Sequence, residues 1–190
     1  MLNYVRIYNN NFPYIDSSNI NKFYYLAILI VGTIILALAA QIQIAIPLFP
    51  VPITLQTFVI LLIGASVGSK LGGQIVLLYL SAGICGLPVF AGYSWGLTEI
   101  VGPTGGYLVG FIFYAYLIGY LLQHGWAKNR VFIFMAALLA DIILFGFGYV
   151  ALASFVGFHD AYLFGIVPFY FVELSKLSLF TLITPHILCK

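Results

Sequence analysis

Long apolar runs with very few charges are the feature that most constrains how this chain folds. Only 6% of its 190 residues are Asp, Glu, Lys or Arg, whereas ordinary globular domains carry about 25%. A water-soluble fold of this length needs many more charges to cover its surface. Most of the outer surface must therefore face lipid, and the chain is predicted to be an all-α integral membrane protein.

Six apolar segments are candidate membrane-spanning helices, which need roughly 20 mainly apolar residues each. They are residues 23–41, 54–69, 71–87, 104–123, 131–155 and 166–188. The second and third meet at residues 68–73, a stretch that contains Gly68, Gly72 and Gly73 and permits a tight turn. A single transmembrane domain over residues 23–190 is predicted, preceded by a polar cytoplasmic extension at residues 1–22.

The basic residues predict the orientation of this domain, because cytoplasmic loops carry an excess of Lys and Arg. The predicted outer loops, residues 42–53, 88–103 and 156–165, contain neither residue type. With the N-terminus inside, the cytoplasmic side receives Arg6, Lys22, Lys70, Lys128, Arg130 and Lys190. Six helices with both termini in the cytoplasm are therefore expected. The net charge of +2 and the absence of a basic run give no support for nucleic-acid binding.

The segment after the first predicted helix is stiffened by Pro47, Pro50 and Pro52. Proline cannot continue a helix and pushes the preceding residue toward extended geometry. Directly after these prolines come three polar residues at the start of the next helix, Thr54, Gln56 and Thr57. One interpretation is a stiff connector with a polar helix cap. The favoured interpretation is an ordered outer loop that presents an amide and two hydroxyls to a ligand.

The segment after the third predicted helix, residues 83–107, combines glycines with large aromatic residues. It holds seven of the chain's 19 glycines together with Phe90, Tyr93 and Trp95. Glycine lets a backbone approach a ligand closely, and aromatic rings pack against flat apolar groups. A binding loop or lid is predicted. The alternative, an interfacial aromatic belt, explains Tyr93 and Trp95 but not the glycines.

Two charges, Glu173 and Lys176, lie inside the sixth apolar segment. Residues three apart share one helix face, and charges in hydrocarbon usually pair or line a functional cavity. A purely structural ion pair is the competing interpretation. Asp141, inside the fifth segment, is assigned no role.

The sequence contains no motif for nucleotide binding, nucleophilic catalysis or zinc hydrolysis. Its three histidines and two cysteines show no metal-ligand spacing. We therefore expect no catalytic residue, no metal site and no cofactor. The polar and aromatic outer loops favour an apolar pocket with a few polar groups for one small molecule.

Three motifs make most of the chain recognisable: Val51-Pro-Ile-Thr-Leu-Gln-Thr57, Gly86-Leu-Pro-Val-Phe90 and Gly102-Pro-Thr-Gly-Gly-Tyr-Leu108. In their order and spacing, residues 23–188 resemble the BioY family, the biotin-specific substrate-binding (S) components of energy-coupling-factor (ECF) transporters. The resemblance implies a six-helix bundle in the cell membrane whose pocket lies near the outer face. It also implies biotin as ligand, and partnership with a transmembrane coupling subunit and two cytoplasmic ATPases.

Biotin carries a ureido group, an apolar thioether ring and a carboxylate tail, and the resemblance implies residues for each. The expected substrate-binding residues are Thr54, Gln56, Phe90, Tyr93, Trp95, Thr104, Gly105, Gly106, Tyr107, Glu173 and Lys176. Small residues on the first helix, Thr33, Ala37 and Ala40, are expected to contact the coupling subunit. The family usually carries Pro-Gly and then Asp-x-x-Lys in the last helix, where this chain has Phe171-Val172 and Glu173.

Three other functions remain open at this point. In the first, the ligand of such a transporter subunit is another vitamin or a biotin precursor, an alternative that the different acid in the last helix leaves open. A membrane enzyme would need a reactive cluster that the sequence does not show. A structural membrane protein without a ligand would leave the outer loops and the Glu173–Lys176 pair unexplained.

Overall fold

The computed structural model describes residues 21–44 and 49–188, which form eight α-helices and one small antiparallel sheet. The helices are α1 Lys22–Gln41, α2 Gln56–Val67, α3 Ser69–Ile84, α4 Leu97–Val101, α5 Gly105–Gln123, α6 Arg130–Val156, α7 Phe158–Gly165 and α8 Tyr170–Leu188. The strands are β1 Gln43–Ile44 and β2 Ile53–Thr54, with Gln43 opposite Thr54. Short 3-10 turns cover Ala91–Tyr93, Trp126–Lys128 and Val167–Phe169.

The six longest helices, α1, α2, α3, α5, α6 and α8, lie within or close to the predicted apolar segments. Four helical stretches are long and apolar enough to cross a membrane: Lys22–Gln41, Gly105–Gln123, Arg130–Val156 and Phe158–Leu188. α2 has 12 residues and α3 has 16, fewer than the roughly 20 that a straight crossing needs. The chain is a multi-pass helical membrane protein. The predicted extension, apart from its last two residues, and Pro47 lie outside the described residues.

Local signals explain where several helices begin and end. The side chain of Asn21 accepts a hydrogen bond from the backbone N–H of Phe23 at the start of α1, at 3.1 Å. Asn129 caps α6 in the same way, with a 2.9 Å bond from the N–H of Phe132. Such caps satisfy N–H groups that have no partner within the helix. Gly68, at φ +83°, separates α2 from α3 by a tight turn that other residues would adopt only with strain.

Helix α5 lies at the centre of the bundle and packs against α2, α3 and α6. Helix α8 packs against α2 and α6, so α2, α5, α6 and α8 surround a common space. Close approach depends on small residues: a Cβ added at Gly64 would lie 2.6 Å from the carbonyl oxygen of Ala115. Helix α1 packs outside this group, against α2 and α3, and exposes an apolar face formed by Ile30, Val31, Ile34, Ile35 and Leu38.

Candidate functional site

A cavity of about 230 Å³ lies between α2, α5, α6 and α8. Residues 50–54, which lead into α2, and residues 90–99, which follow α3, contribute the rest of its wall. Most of the wall is apolar or aromatic, as is typical of small-molecule sites. A smaller set of polar side chains lines it as well: Thr54, Gln56, Thr57, Ser94, Glu99, Thr104 and Glu173.

The charged pair predicted in the last helix forms at one wall of this cavity. The Nζ atom of Lys176 lies 2.6 Å from Oε1 of Glu173. The same ammonium group donates to the backbone carbonyl of Thr54 at 2.7 Å and to the hydroxyl of Thr57 at 2.8 Å. A lysine ammonium has three N–H donors, so these three acceptors use all of them. Lys176 is not among the residues that line the cavity.

The side chain of Lys176 ends on protein acceptors from β2, α2 and α8, because an ammonium group away from water must satisfy its donors. Lys176 therefore joins three elements and positions Glu173. Glu173 lines the cavity and Lys176 does not, and the predicted contact of Lys176 with a ligand stays a prediction.

The two carboxylate oxygens of Glu173 have different surroundings. Oε1 accepts from Lys176 and, at 3.1 Å, from the hydroxyl of Thr57. Oε2 is buried and has no hydrogen-bond partner among the described residues. The residue is only 3% exposed and lines the cavity. Leaving a buried polar atom unsatisfied costs about 1–3 kcal/mol, so Glu173 is a carboxylate that gains stability when a donor reaches it.

Gln56 and Thr54 are both brought to the cavity, as predicted from their position after the prolines. The hydroxyl oxygen of Thr54 accepts from the N–H of Gln56 at 3.3 Å, which fixes the start of α2. The buried Gln56 side chain donates through Nε2 to the hydroxyl of Tyr79 at 2.9 Å. Tyr79 in turn donates to the carbonyl oxygen of Val89 at 3.2 Å. This chain of bonds connects α2 through α3 to the segment that carries Phe90.

Phe90 is the predicted aromatic residue that reaches the cavity, and Gly83 makes room for it. The ring is buried, lines the wall and packs edge-on against Tyr79, with ring centroids 5.4 Å apart. A Cβ at Gly83 would overlap this ring. The carbonyl oxygens of Val89 and Phe90 both accept from the amide of Gln41, at 3.4 and 3.0 Å. The end of α1 therefore holds the segment that covers the cavity.

Tyr93 and Trp95, predicted as ligand contacts, do not line the cavity and are 69% and 60% exposed. The reason is the tight turn that begins at Phe90, whose N–H donates to the carbonyl oxygen of Ser94 at 3.1 Å. Phe90 and Ser94 line the cavity from this turn, and Tyr93 and Trp95 lie outside it. Their exposure is what the alternative interpretation, an interfacial aromatic belt, requires.

The Gly-Pro-Thr-Gly-Gly-Tyr motif is only partly at the cavity. Thr104 and Tyr107 line it, and the hydroxyl of Tyr107 donates to the carbonyl oxygen of Gly165 at 2.8 Å. Gly105 and Gly106 do not line the cavity, contrary to the prediction. A Cβ at Gly105 would overlap the carbonyl of Ile100, and one at Gly106 would overlap α6. Both glycines serve close packing of backbone on backbone at the start of α5.

The small residues of α1 predicted to contact a partner are turned toward the rest of this chain. Thr33 donates to the carbonyl oxygen of Ile75 in α3 at 3.3 Å. Ala40 is fully buried in the main core, and Ala37 is half-buried against that core. Their small size is needed for α1 to approach α3 within the protein. The face that α1 leaves exposed is formed by large aliphatic residues instead.

Sequence reasoning missed several residues of the wall. Thr57 belongs to the polar residues predicted after the prolines but not to the expected substrate-binding residues, although it bridges Glu173 and Lys176. Its hydroxyl, next to Gln56 in the first turn of an otherwise apolar helix, is the signal that could have identified it. Glu99, the acidic residue of the outer loop, also lines the cavity. The aromatic residues Phe111 and Phe169 resemble any other core residue in sequence and carried no such signal.

Asp141, which was assigned no role, lies beside a second and smaller cavity between α6 and α8. Its carboxylate is buried and accepts from the hydroxyl of Tyr114 at 3.4 Å. Glu173, Phe145 and Phe169 line both cavities, so the two spaces adjoin. Within residues 21–44 and 49–188 there is no group of three His, Cys, Asp or Glu side chains suited to hold a metal ion.

Comparison with known proteins gives consistent matches over most of the chain. A model of the BioY family matches residues 15–189. The biotin transporter BioY of Thermotoga maritima is 41% identical over 144 residues, which are 74% of this chain and 82% of that protein. A probable biotin transporter BioY of Pyrococcus horikoshii is 38% identical over 134 residues, 70% of this chain and 78% of that one.

A solved structure supports the same relationship at the level of the fold. It is the crystal structure of the S-component for biotin from an ECF-type ABC transporter. The match has a TM-score of 0.77 and 26% sequence identity, and it covers 87% of this chain and 91% of that one.

Proposed function

The chain belongs to the BioY family, and from this premise we propose that it binds biotin and acts as the substrate-specific subunit of an ECF-type transporter. The binding site in this proposal is the cavity between α2, α5, α6 and α8. The two relatives described above are named as biotin transporters, and the matching crystal structure is an S-component for biotin. The chain itself has the role of a binding protein rather than an enzyme.

The state of Glu173 is the observation that carries the choice of ligand. Its carboxylate is held in place by Thr57 and Lys176 through one oxygen, and the other oxygen has no donor among the described residues. The ureido group of biotin offers N–H donors to such an acceptor. A hydrogen bond to an ionised group contributes about 1.5–3 kcal/mol, more than one between neutral groups. Glu173 therefore receives the ureido end of biotin in this proposal.

The remaining wall suits the other parts of biotin. Phe90, Phe111 and Phe169 supply aromatic surface for the thioether ring and the aliphatic chain. Gln56 and Thr104 add polar groups on the α2 and α5 sides. Lys176, whose N–H groups are all used, positions Glu173 and does not contact the ligand. In this pose the ureido end of biotin meets the charged pair.

The membrane arrangement is part of the same proposal. The proposal places the six long helices across the cytoplasmic membrane, with both termini inside and residues 90–99 at the outer face; α2 and α3, which are shorter than a straight crossing, are completed by the residues that flank them. The described basic residues at helix starts or turns, Lys22, Lys70, Lys128 and Arg130, are then cytoplasmic. A transmembrane coupling subunit and two cytoplasmic ATPases supply the energy, and no cofactor is needed by this chain. The exposed aliphatic face of α1 is the surface offered to the coupling subunit.

The test is binding of biotin, and of an analogue methylated on its ureido nitrogens, to the purified protein in detergent. The analogue keeps the ring and the tail but lacks the donors for Glu173. The proposal predicts saturable, one-to-one binding of biotin and a loss of at least about tenfold in affinity for the analogue. Absence of biotin binding by folded protein would reject biotin as ligand, and other vitamins and biotin precursors would then be titrated. Equal affinities would reject the contact with Glu173.

A further inference from the structure

Glu99 is the second carboxylate at the wall of the cavity, and its surroundings differ from those of Glu173. Glu99 belongs to α4, in the segment that covers the cavity, and is half-buried. Glu173 is almost fully buried on α8 and is paired with Lys176. Glu99 forms no ion pair with any residue that the structure describes. The charge of Glu173 is thus balanced, whereas that of Glu99 is not, and the proposed arrangement places the segment of Glu99 at the outer face and so at the outer end of the cavity.

Across the described ranges, none of the side chains that line the cavity wall is basic, so none of them balances the charge of Glu99. Lys176 is basic, but it is not available as a counter-ion of Glu99, because it already donates all its N–H groups to Glu173, Thr57 and the backbone of Thr54. The outer end of the site therefore has a net negative charge in a partly apolar surrounding, where charges are screened less than in open water.

We infer that Glu99 sets the specificity of the site for the tail of the ligand, favouring biotin linked through an amide to a neutral or cationic group over free biotin. The inference rests on the proposed function, in which the ureido group meets Glu173. The aliphatic chain of biotin then runs toward the outer end and brings its terminal group to the side where Glu99 lies. A free carboxylate there meets a like charge, whereas an amide has no charge and an ammonium-bearing amide has an opposite one.

The size of this effect follows from the exposure of Glu99. Charge pairs near a protein surface contribute from about zero to about 1 kcal/mol, because water and salt screen them. The expected change in relative affinity is therefore roughly two- to fivefold between ligands that differ by one charge. Because the contribution is electrostatic, it decreases as the ionic strength rises.

The experiment measures dissociation constants of three ligands by calorimetry: free biotin, its uncharged primary amide, and an amide whose tail ends in an ammonium group. Wild-type protein is compared with Glu99→Gln. The control is Asp160→Asn, because Asp160 is another half-buried carboxylate of the predicted outer side and does not line the cavity. Each affinity is taken relative to that of the uncharged amide, so that a general change in the fold cancels.

In wild type and in Asp160→Asn, the cationic amide should bind most tightly and free biotin least tightly. In Glu99→Gln these differences should disappear. Relative to the uncharged amide, the affinity for free biotin should rise and that for the cationic amide should fall, each by roughly two- to fivefold. Raising the salt concentration from about 0.05 to about 0.5 M should produce the same change in wild type, independently of any variant. If the relative affinities were unchanged both in Glu99→Gln and in high salt, the role of Glu99 would be overturned, while the proposed function would stand. Failure of all three ligands to bind wild type would overturn the proposed function, and this inference with it.

Discussion

Lys176 donates to one carboxylate oxygen of Glu173, three residues earlier in the same helix, at 2.6 Å, and the other oxygen has no donor among the residues that the structure describes. The pair is held from outside its own helix as well, by the hydroxyl of Thr57 and the carbonyl of Thr54. Two charges and the polar ends of β2 and α2 thus form one unit at the wall of the cavity. The unit neutralises charge inside the bundle and still presents an acceptor to a ligand.

Replacement of Lys176 by methionine should destabilise the protein and abolish biotin binding. The substitution leaves the carboxylate of Glu173 buried without its counter-ion, which costs about 3–5 kcal/mol. The double variant Lys176→Met with Glu173→Gln should recover most of the thermal stability, because neither charge remains, but should still not bind biotin. Thermal unfolding followed by fluorescence and a binding titration measure the two effects. A stable single variant that binds biotin normally would contradict the role given to Lys176.

Replacement of Thr57 by valine should weaken both the charged pair and ligand binding. The hydroxyl of Thr57 accepts from Lys176 and donates to Glu173, so its loss leaves one buried donor and one acceptor without a partner. The expected cost is about 1–3 kcal/mol in the free energy of unfolding. Thr57→Ser keeps the hydroxyl and serves as the control. If valine and serine gave the same stability and affinity, the bridging role would be wrong.

Gln41 should control how long the ligand stays bound. Its amide donates to the carbonyls of Val89 and Phe90 and accepts from the N–H of Tyr93, so α1 holds the covering segment in place. Gln41→Met removes these bonds and should speed biotin dissociation by about tenfold, the equivalent of 1.4 kcal/mol. Stopped-flow release, with Trp95 in that segment as the fluorescent reporter and Trp126 replaced by Phe, measures the rate.

The matched control for Gln41 is Gln74→Met. Gln74 also ties α1 to another part of the chain, through a 2.9 Å bond from the hydroxyl of Tyr25, but this bond joins α1 to α3 and not to residues 89–93. Its replacement should leave the dissociation rate unchanged. Equal acceleration in both variants would mean that general loosening of α1, rather than the hold on residues 89–93, governs release.

Gly83→Ala should displace Phe90 from the cavity wall. A methyl group at Gly83 would overlap the ring of Phe90, and forcing extra volume into a packed core typically costs about 1–3 kcal/mol. Gly146→Ala is the control, because a Cβ there has no heavy atom within 4 Å. The control should be neutral or slightly stabilising, since alanine favours a helix more than glycine does. Biotin affinity and thermal unfolding of the two variants should differ clearly, and similar behaviour would contradict the position of Phe90.

The helices were predictable because apolar run length reports directly on what a membrane requires. The ends of the helices were harder to predict. The third predicted segment extends to residue 87, whereas α3 ends at Ile84. Gly86, at φ +101°, lies beyond that end and has a conformation that a helix cannot include. Length and composition showed that the segment was apolar, but a single backbone angle decided where the helix stopped.

Residues of the site were predictable where a polar or charged side chain would cost free energy in an apolar segment unless it made a specific contact. Glu173 inside an apolar helix, and Thr54 and Gln56 after three prolines, are residues of that kind, and all three line the cavity. Tyr93 and Trp95 are predicted from residue type, and Gly105 and Gly106 from a motif of the family. The positions of all four depend on a turn and on helix contacts. Bonds such as that from Gln41 to Phe90 join residues 49 apart, and no local pattern encodes them.

The most direct test of the account is calorimetric titration of biotin into wild-type protein, Glu173→Gln and Ser175→Ala. Ser175 is exposed on the same helix and its hydroxyl bonds to the carbonyl of Phe171, so its variant controls for changes in α8. The account predicts one-to-one binding by wild type and Ser175→Ala, and a loss of at least about tenfold in affinity for Glu173→Gln with the fold intact. Full affinity in Glu173→Gln would contradict the central claim that this carboxylate receives the ligand.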